Sequence, residues 1–597
     1  MKRKLLDVSV DSIDSSEGVG DGRPPKKVAK KMAKNDDFFE KHICFDADEE
    51  FIKELETKLQ LKNKEIIELS EFSNCRCLIS WRNTQKCFLE PDEHLDLRRF
   101  GVSSKLCSNY EALMLKNANA QKAWYSAALY QIIGRYMDLC FVMRDNFYTE
   151  LLCLHALNHV TRTRKLVIQN KQALEAAKEK SVVDDELIEK CRDQGLARPK
   201  VLILCPFRKH AAKIVETFIK IMFGTEDRPF VSNLAKFRKE YYDEENCVHE
   251  KRKVADDYRQ LMSGNVDDCF RIGIGLAKKC LKLYTSFDES DVLLCSPVGL
   301  RMIIGEDEEG AKREFDFLSA IELVIIDKAN ILYMQNWEHL VGVFETLNAT
   351  PTRITTDISR VRHWSLRGFS RYYRQTLLFA EINFVEMHAL MARYCQNYAG
   401  EVSIVVNPSS RLPEIHMPFV QGAFRVPCDD PQAHTDARFR FFVEKVLPKC
   451  EPHTLIFIPS YYDFVRVRNY MKRNNDDFTQ CHEYAKKGKV AKARHMFVNG
   501  QRKLLLLTER FHFYFRYQIK GIKSMVFYQL PTNPTFYTEL VDFSRFYAEK
   551  TGDTGFRVET RMLFSKFDLL RLQNVFGIPT AKHLLNAEES CFAIYGE

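Results

Sequence analysis

The residues with the clearest chemical meaning stand at the end of a predicted strand, LVII (323–326), which runs directly into Asp327. A short, continuously apolar run is typical of a strand that a parallel sheet buries on both faces. ATP-hydrolysing enzymes place an acid at this point to hold the magnesium ion of the nucleotide. They usually carry a second acid nearby, but this chain has Asn330, which cannot act as a general base. Asp327 and Asn330 are therefore a degenerate form of that pair, and Asp327 can equally hydrogen-bond a neighbouring loop.

The loop that would bind the phosphates of ATP is missing. Such a loop reads G-x-x-x-x-G-K-[ST]: glycines let backbone amides face the phosphates, lysine neutralises them, and the hydroxyl holds magnesium. The expected place lies between the strand DLCFVM (138–143) and a helix beginning near Glu150, where the sequence is MRDNFYTE (143–150). This stretch contains no glycine and no lysine, so most of the electrostatic stabilisation of phosphoryl transfer is lost. We expect no hydrolysis, no cofactor and no small-molecule substrate.

Several polar or turn-forming residues stand just past predicted strands, where they could contact a sugar-phosphate backbone. Hydroxyl groups, backbone amides and arginine at such positions suit RNA binding without sequence readout. Serine, threonine and proline also favour turns for local reasons, and that explanation is the stronger one for each position taken singly. The candidates are Pro206, Arg208, Ser296, Ser460 and Thr508.

The stretch ERFHFYFRYQIKGIK (509–523) interleaves cations with aromatic residues. Mixtures of this kind bind single-stranded nucleic acid, because the cations neutralise phosphates and the aromatic rings stack on bases. Aromatic residues at this density also build a core or a protein-docking face. RNA contact and protein contact are equally compatible with the pattern. The cations of interest are Arg510, Arg516 and Lys520.

A second stretch, SRVRHWSLRGFSRYYRQT (359–376), is rich in the same residue types. Arginine and aromatic residues are enriched at the energetic centres of interfaces, so a partner or RNA interface is one interpretation. A buried arginine network is the other. The residues concerned are Arg360, Arg362, Trp364, Arg371, Tyr372 and Arg374.

Apolar strands that alternate with helical segments predict two tandem parallel α/β domains of the RecA type, the pairing found in helicases. We assign residues 101–400 to the first domain, with insertions, and 436–597 to the second. Residues 401–435, rich in proline, are assigned to an interdomain connection. Residues 1–40 are expected to be a disordered basic tail, and 41–100 a variable N-terminal region.

Composition limits the cellular context. The chain has 597 residues, which is too long for one hydrophobic core, and its net charge of +8 permits an anionic partner without requiring one. The 18 cysteines include no C-x-x-C pair, so free thiols in a reducing compartment are favoured over a zinc site. No apolar run is long enough to span a membrane, and no secretion signal is recognised.

A dense basic cluster in the N-terminal tail has the composition of a nuclear-import signal. A merely solvated tail is the alternative. The cluster comprises Arg23, Lys26, Lys27, Lys30, Lys31 and Lys34.

Four long strings carry a resemblance to a known family. The chain resembles the digestive-organ expansion factor family, nucleolar proteins associated with the U3 small nucleolar RNA, from about residue 100 to its C-terminus. The resemblance implies two RecA-like domains related to DEAD-box RNA helicases, with degenerate ATPase motifs. It also implies a place in the small-subunit processome, which matures the precursor of 18S ribosomal RNA. The strings are MQNWEHL (334–340), FSRYYRQTLLF (369–379), TLIFIPSYYDFVRVRNY (454–470) and TERFHFYFRYQIKGI (508–522).

The sequence therefore predicts a nucleolar, non-catalytic scaffold derived from a helicase. It would bind U3 RNA or pre-ribosomal RNA together with processome proteins, and it would lack the ATP-completing arginines of the last helicase motif around FYTELVDFSRF (536–546). Two alternatives stay open. One is an active ATP-dependent RNA helicase with an unusual nucleotide site. The other is a protein-only adaptor without RNA contact, which the modest net charge favours because dedicated nucleic-acid binders are often more basic.

Overall fold

The structure is a computed structural model that describes residues 37–596, except 62–63, 68–71, 73, 83–95, 117–119, 145–146, 181–183, 225–228, 243–253, 278 and 306–313. The basic cluster at 23–34 lies outside these residues, as does most of the 1–40 tail. In the described residues, two sheets organise the chain into two α/β domains. The predicted fold class is therefore confirmed.

The first sheet has eleven strands in the order β1-β2-β11-β3-β10-β9-β4-β8-β6-β7-β5. Its central run from β11 to β8 is parallel, and antiparallel strands extend it on both sides. The strands are β1 (Glu65–Ile67), β2 (Cys75–Ser80), β3 (Asp138–Val142), β4 (Val201–Leu204), β5 (Phe230–Ser232), β6 (Arg271–Ala277), β7 (Cys280–Thr285), β8 (Val292–Cys295), β9 (Leu323–Ile326), β10 (Gln375–Ala380) and β11 (Glu401–Val406).

Helices cover both faces of this sheet, which explains why its central strands are apolar without alternation. Successive strand residues point to opposite faces, so Leu323 and Ile325 join one core while Val324 and Ile326 join the other. The helices are α1 (Phe38–Cys44), α2 (Glu49–Leu61), α3 (Ser104–Lys116), α4 (Ala120–Ile133), α5 (Thr149–Glu179), α6 (Asp185–Lys190), α7 (Arg208–Phe223), α8 (Leu234–Tyr241), α9 (Asp256–Leu261), α10 (Pro297–Ile304), α11 (Ala329–Thr346), α12 (His363–Leu366), α13 (Ser370–Tyr373) and α14 (Val385–Tyr394).

The second sheet has seven strands in the order β14-β15-β13-β16-β17-β12-β18, and all pair in parallel except β18. Its strands are β12 (Phe419–Arg425), β13 (Thr454–Ile458), β14 (Phe478–Cys481), β15 (Leu504–Thr508), β16 (Ser524–Phe527), β17 (Val558–Phe564) and β18 (Cys591–Gly596). Its helices are α15 (His434–Phe441), α16 (Tyr461–Arg473), α17 (Lys487–Val498), α18 (Glu509–Phe515), α19 (Pro534–Asp542), α20 (Arg545–Thr551) and α21 (Leu569–Asn586).

Two boundary assignments need correction. The 401–435 segment is not merely a connection, because it contains β11 of the first sheet and β12 of the second. The linker between the sheets is therefore confined to 407–418. The described residues of the 41–100 region also belong to the first domain, since β2 pairs along the whole of β11. The proline-rich sequence explains the first error. The second arose because β2 joins the sheet through β11, a strand far along the chain.

The part of the chain that the structure describes includes no helix long and apolar enough to cross a membrane. Its cysteines are free, and no group of His, Cys, Asp and Glu in these residues could hold a metal ion.

Candidate functional site

The place of a phosphate-binding loop lies between β3 and α5, and an aromatic side chain fills it. Tyr148 is buried, its ring stacks on Phe379 of β10 with centroids 4.3 Å apart, and its hydroxyl donates to Asp327 Oδ1 at 3.3 Å. Phe147 packs beside it, on Phe141 of β3. A loop that cradles phosphates needs open backbone amides, and here two bulky side chains turn inward instead.

The surroundings of Asp327 complete the test of whether a magnesium nucleotide fits. Burial raises the pKa of this carboxyl, and the nearby Lys328 and Lys213 oppose the rise only in part. Lys213 belongs to α7 and reaches Thr149 Oγ1 at 3.5 Å. The small cavity here has mainly apolar walls, including Leu152, with Thr149 and Asp327 as polar members. Tyr148 covers Asp327, and the loop between β3 and α5 has no lysine. These residues therefore do not fit a magnesium nucleotide.

Lys328 and Asn330 have a structural role: both contact Glu381, which follows the neighbouring strand β10. Lys328 starts α11 from a left-handed φ of 55°, and its ammonium pairs with Glu381 Oε1 at 3.0 Å. Asn330 Oδ1 accepts from the Glu381 backbone amide at 3.1 Å. Glu381 follows β10, so these two contacts tie the ends of β9 and β10 together. The positive charge beside Asp327 is thus directed mainly at another acid.

Asp327→Asn is expected to raise the free energy of unfolding at pH 7. An acid whose pKa is higher in the folded chain destabilises it once ionised, while asparagine still accepts from Tyr148. The gain should vanish as pH falls below the ordinary Asp value of 3.8. Urea unfolding at several pH values measures it. A loss at pH 7 as large as that of Asp327→Ala would show that the ionised carboxylate is required.

The two domains meet directly, and Arg510 is one of the joining residues. Helix α11 is kinked at Asn336, whose Oδ1 accepts from the Glu338 backbone amide. The kink frees carbonyls of the preceding turn. Arg510 Nε and Nη2 donate to the carbonyls of Met334 and Gln335, at 3.0 and 2.5 Å. Arg510 therefore crosses between domains instead of facing open solvent.

Arg516 makes the second link. It is buried and forms a two-pronged pair with Glu539 of α19, at 2.6 and 2.9 Å. Its Nη2 also donates to Asp257 of the first domain at 2.8 Å. Tyr258 donates from its hydroxyl to the Tyr514 carbonyl across the same boundary. A shared apolar cluster fills the contact; its buried members are Phe207, Ile331, Met334, Phe513 and Phe536.

The other RNA candidates have mostly local roles. Ser296, Ser460 and Thr508 cap the first turns of α10, α16 and α18 with their hydroxyls. Pro206 is buried, and Arg208 pairs with Asp267 at 3.0 Å. The turn explanation fits these positions better than RNA contact.

Among the cations of the 509–523 stretch, Lys520 has an exposed side chain. Its ammonium lies over the Phe546 ring, 5.3 Å from the centroid. Arg510 and Arg516 by contrast bond to groups across the domain boundary, and Arg516 is also buried. The structure therefore leaves Lys520 exposed and Arg510 partly exposed, while Arg516 is buried.

The 359–376 stretch is the buried arginine network rather than an open interface. Arg362 contacts Glu322 Oε1 at 2.7 Å, where Lys200 also binds at 3.2 Å. His159 Nε2 lies 3.0 Å from Glu322 Oε2. Arg360 pairs with Asp193 at 2.5 Å. These groups are buried at the amino ends of the central strands, far along the chain from one another.

The aromatic members of this stretch are covered by the chain's own N-terminal helices. Trp364 stacks on Tyr373 with centroids 4.1 Å apart, and the Tyr373 hydroxyl accepts from the Ala47 backbone amide at 2.8 Å. Tyr372 donates to Glu56 of α2. Arg374 is buried against Asn348, which leaves Arg371 as the exposed member of the six candidates.

Sequence reasoning missed Tyr148, Glu381 and the docking of α1 and α2. The sequence did indicate Tyr148, because Phe147 and Tyr148 stand where a phosphate-binding loop requires glycine and lysine. The N-terminal signal was also present: residues 46–56 contain six acids, which complement an arginine-rich surface. Glu381 gave no signal, because a lone acid after a strand is common.

Comparison with known proteins places this geometry in a family. Residues 136–402 match the family model "UTP25, NTP hydrolase-like domain", and residues 412–594 match "Utp25, C-terminal domain". The U3 small nucleolar RNA-associated protein 25 homolog of Mus musculus is 40% identical over 474 residues, 77% of this chain and 60% of that protein. The Rattus norvegicus homolog is 40% identical over 521 residues, 84% of this chain and 67% of that protein.

A fungal relative gives the same result. U3 small nucleolar RNA-associated protein 25 of Sclerotinia sclerotiorum is 35% identical over 530 residues, 86% of this chain and 70% of that protein. The chain spans about 60% of the length of the mouse and human relatives.

Among solved structures, the yeast DEAD-box splicing factor Prp28 is similar at 12% identity, covering 78% of this chain and 84% of that chain, with a TM-score of 0.26. Similarity this weak carries no functional inference. The family models and the relatives confirm the resemblance seen in the four sequence strings: the chain belongs to the family of U3 small nucleolar RNA-associated protein 25.

Proposed function

We propose that this chain is a non-catalytic, helicase-like scaffold of the small-subunit processome. It would bind U3 small nucleolar RNA or pre-ribosomal RNA together with assembly factors, in support of pre-18S processing in the nucleolus. The observation that carries the non-catalytic part is the Tyr148 side chain, which stands on Asp327 where a nucleotide would need open amides and a lysine. The part concerning U3 RNA rests on the names of the relatives, which are U3 small nucleolar RNA-associated proteins. The part concerning the processome rests on the family resemblance.

The domain contact supports a fixed arrangement. A helicase cycle requires its two domains to close and open with nucleotide, and an interface made by the protein's own residues removes that dependence. Here Arg510 and Arg516 join the domains through hydrogen bonds, and an apolar cluster around Phe513 excludes water between them. A rigid pair of domains offers partners one constant surface, which suits a scaffold.

Magnesium ATP is expected to leave the thermal unfolding midpoint unchanged. A ligand that binds only the folded state stabilises it by about 2.7 kcal/mol at 100 times its Kd, so a working site would be obvious by differential scanning fluorimetry. An active DEAD-box helicase serves as the positive control. The same absence of shift is expected for Tyr148→Phe, which keeps the ring in place. A clear upward shift with ATP would favour the active helicase.

RNA binding separates the scaffold from the protein-only adaptor. The adaptor is favoured by one observation: Arg510 and Arg516, which could have bound RNA, are used inside the protein. The full chain should be titrated with labelled single-stranded and U3-derived RNA at several salt concentrations, with and without magnesium ATP. Phosphate contacts release counterions, so RNA affinity should fall steeply with salt and ignore ATP. No binding at any salt concentration would establish the adaptor.

A further inference from the structure

An exposed surface on the second domain combines four lysines with two tyrosines. It lies at the starts of α16 and α17, and its Tyr484 hydroxyl contacts Arg510 of the domain contact. We call it the lysine–tyrosine surface; its residues are Tyr462, Tyr484, Lys486, Lys487, Lys489 and Lys492.

Among the described residues, no acidic side chain pairs with the lysines of this surface. Residues 484–508 contain seven Lys or Arg and no Asp or Glu. The four lysines are exposed, and none forms an ion pair with any described residue, whereas the nearby Arg502 pairs with Asp477 at 2.7 Å. Lys489 and Lys492 lie three residues apart on one helical face, where like charges repel each other. An anionic ligand would relieve this repulsion.

The tyrosines make the surface unlike an ordinary solvated lysine helix. Tyr462 is 87% exposed and Tyr484 is 64% exposed, so both rings present open faces to solvent. Tyr484 is held in place from behind, since Tyr461 packs edge-on against it with centroids 4.9 Å apart and Arg510 Nη1 contacts its hydroxyl at 3.4 Å. A ring fixed in this way loses little entropy when a flat partner stacks on it.

The location also favours a ligand. Tyr462 follows β13 in the first turn of α16, and Tyr484 follows the end of β14, so both stand at the carboxyl edge of the second sheet. Ligands of open parallel sheets bind beyond this edge. The lysines begin only two residues after Tyr484 and continue along α17.

Helices α16 and α17 cover opposite faces of the sheet, since Phe464 packs with Ile456 and Phe497 packs with Leu455. Their starts meet at this edge, where Tyr461 packs on Tyr484. The rings and the first lysines therefore flank one edge of the sheet, which a single strand could follow.

We propose that the lysine–tyrosine surface binds single-stranded RNA, with lysines against phosphates and tyrosines stacked on bases. An acidic peptide would satisfy the lysines but gives the two exposed rings no partner, whereas every base offers a flat face. The inference rests on the proposed function, because it assigns a site to the RNA binding proposed there. It places that site beside Arg510, whose Nη1 contacts Tyr484, and not at Arg516, which is buried between the domains.

The test uses the full chain and two variants. Lys487→Ala with Lys489→Ala and Lys492→Ala should weaken binding of a labelled single-stranded RNA and flatten its salt dependence by about two units of the logarithmic slope, because each phosphate contact contributes about 0.7. Tyr462→Ala should weaken binding by about tenfold with the slope unchanged, because stacking involves no counterion. Alanine favours helices and Tyr462 touches solvent, so both variants should fold.

The matched control removes three exposed lysines from the C-terminal part of α5 and the residue after it, Lys171→Ala with Lys178→Ala and Lys180→Ala, and should bind as the parent does. RNA affinity unchanged in both surface variants would overturn this site while leaving the proposed RNA binding intact. A parent that binds no RNA would overturn both. If a polyglutamate peptide binds the parent as tightly as RNA does, and Tyr462→Ala leaves RNA affinity unchanged, the surface is a peptide site and the proposal fails.

Discussion

Arg362→Ala is expected to destabilise the first domain by about 3–5 kcal/mol, the usual result of breaking a buried ion pair. The guanidinium lies 2.7 Å from Glu322 Oε1, and both groups are buried. Removing it leaves the acid with Lys200 and His159 alone and opens a cavity in front of Trp364. The free energy of unfolding in urea measures the effect. The result would assign the 359–376 stretch to the fold rather than to a partner.

The pH dependence gives the same experiment a second readout. Burial alone would raise the pKa of Glu322, but Lys200, Arg362 and His159 outweigh it and hold the pKa well below the ordinary 4.5. The stabilisation by the ionised acid is therefore complete above pH 4.5 and is lost as pH falls from there toward the lower folded value. Arg362→Ala should shorten this window, so that acid unfolding begins at a higher pH.

Arg371→Ala is the matched control from the same stretch. Its guanidinium is half exposed and contacts Glu56 at 3.4 Å, and exposed pairs of this kind contribute about 0–1 kcal/mol. The control variant should therefore unfold almost as the parent does. A folded, fully stable Arg362→Ala that loses RNA or protein binding would contradict this assignment and restore the interface interpretation.

The contrast between Arg362 and the strands shows what the sequence can and cannot convey. Strands such as β9 and β15 were predictable because burial on both faces requires an uninterrupted apolar run, which is a local property. The role of Arg362 depends on Glu322, 40 residues away, and that of Arg516 on Asp257, 259 residues away. Residue type alone states that an arginine will find an acid. It does not state whether that acid is in the same domain, in the other domain or on a partner.

At the place of the phosphate-binding loop, the sequence likewise shows part of the answer and the fold shows the rest. Loss of the phosphate loop was readable from missing residue types, since no arrangement of the chain can supply a glycine that is absent. The identity of the group that replaces the phosphates was not readable, because Tyr148 meets Asp327 only after β3 and β9 are brought into one sheet with β10 between them. The exposed tyrosines on α16 and after β14 were likewise inseparable from core aromatics until burial was known.

Arg516→Ala is expected to lower the free energy of unfolding of the second domain by about 3–5 kcal/mol and to loosen its contact with the first. Glu539 would remain mostly buried with His512 as its remaining partner, and the link to Asp257 would be lost. Hydrogen exchange should accelerate in α9 and at the start of α11. Arg516→Lys keeps the charge but cannot reproduce the two-pronged geometry, so it should recover only part of the stability.

Asp257→Asn separates the two roles of Arg516. The carboxyl is half exposed and belongs to the first domain, so its removal spares the Glu539 pair and should change the free energy of unfolding by about 1 kcal/mol or less. Exchange at the domain boundary should still accelerate, because this cross-domain contact would be weakened while the shared apolar cluster around Phe513 remains. If exchange there is as slow as in the parent, the apolar cluster alone holds the domains together.

The pKa of Glu539 gives the direction in which pH changes the stability that the Arg516–Glu539 pair contributes. Burial would raise the pKa of Glu539, but His512 and Arg516 outweigh it and lower the pKa to about 2. The pair therefore stabilises the domain fully above pH 4.5 and progressively less between that value and about 2. Since Arg516 also reaches Asp257, acid should weaken the second domain and its contact with the first over one pH range. A boundary that stays protected while the second domain unfolds would show that the two are not coupled through Arg516.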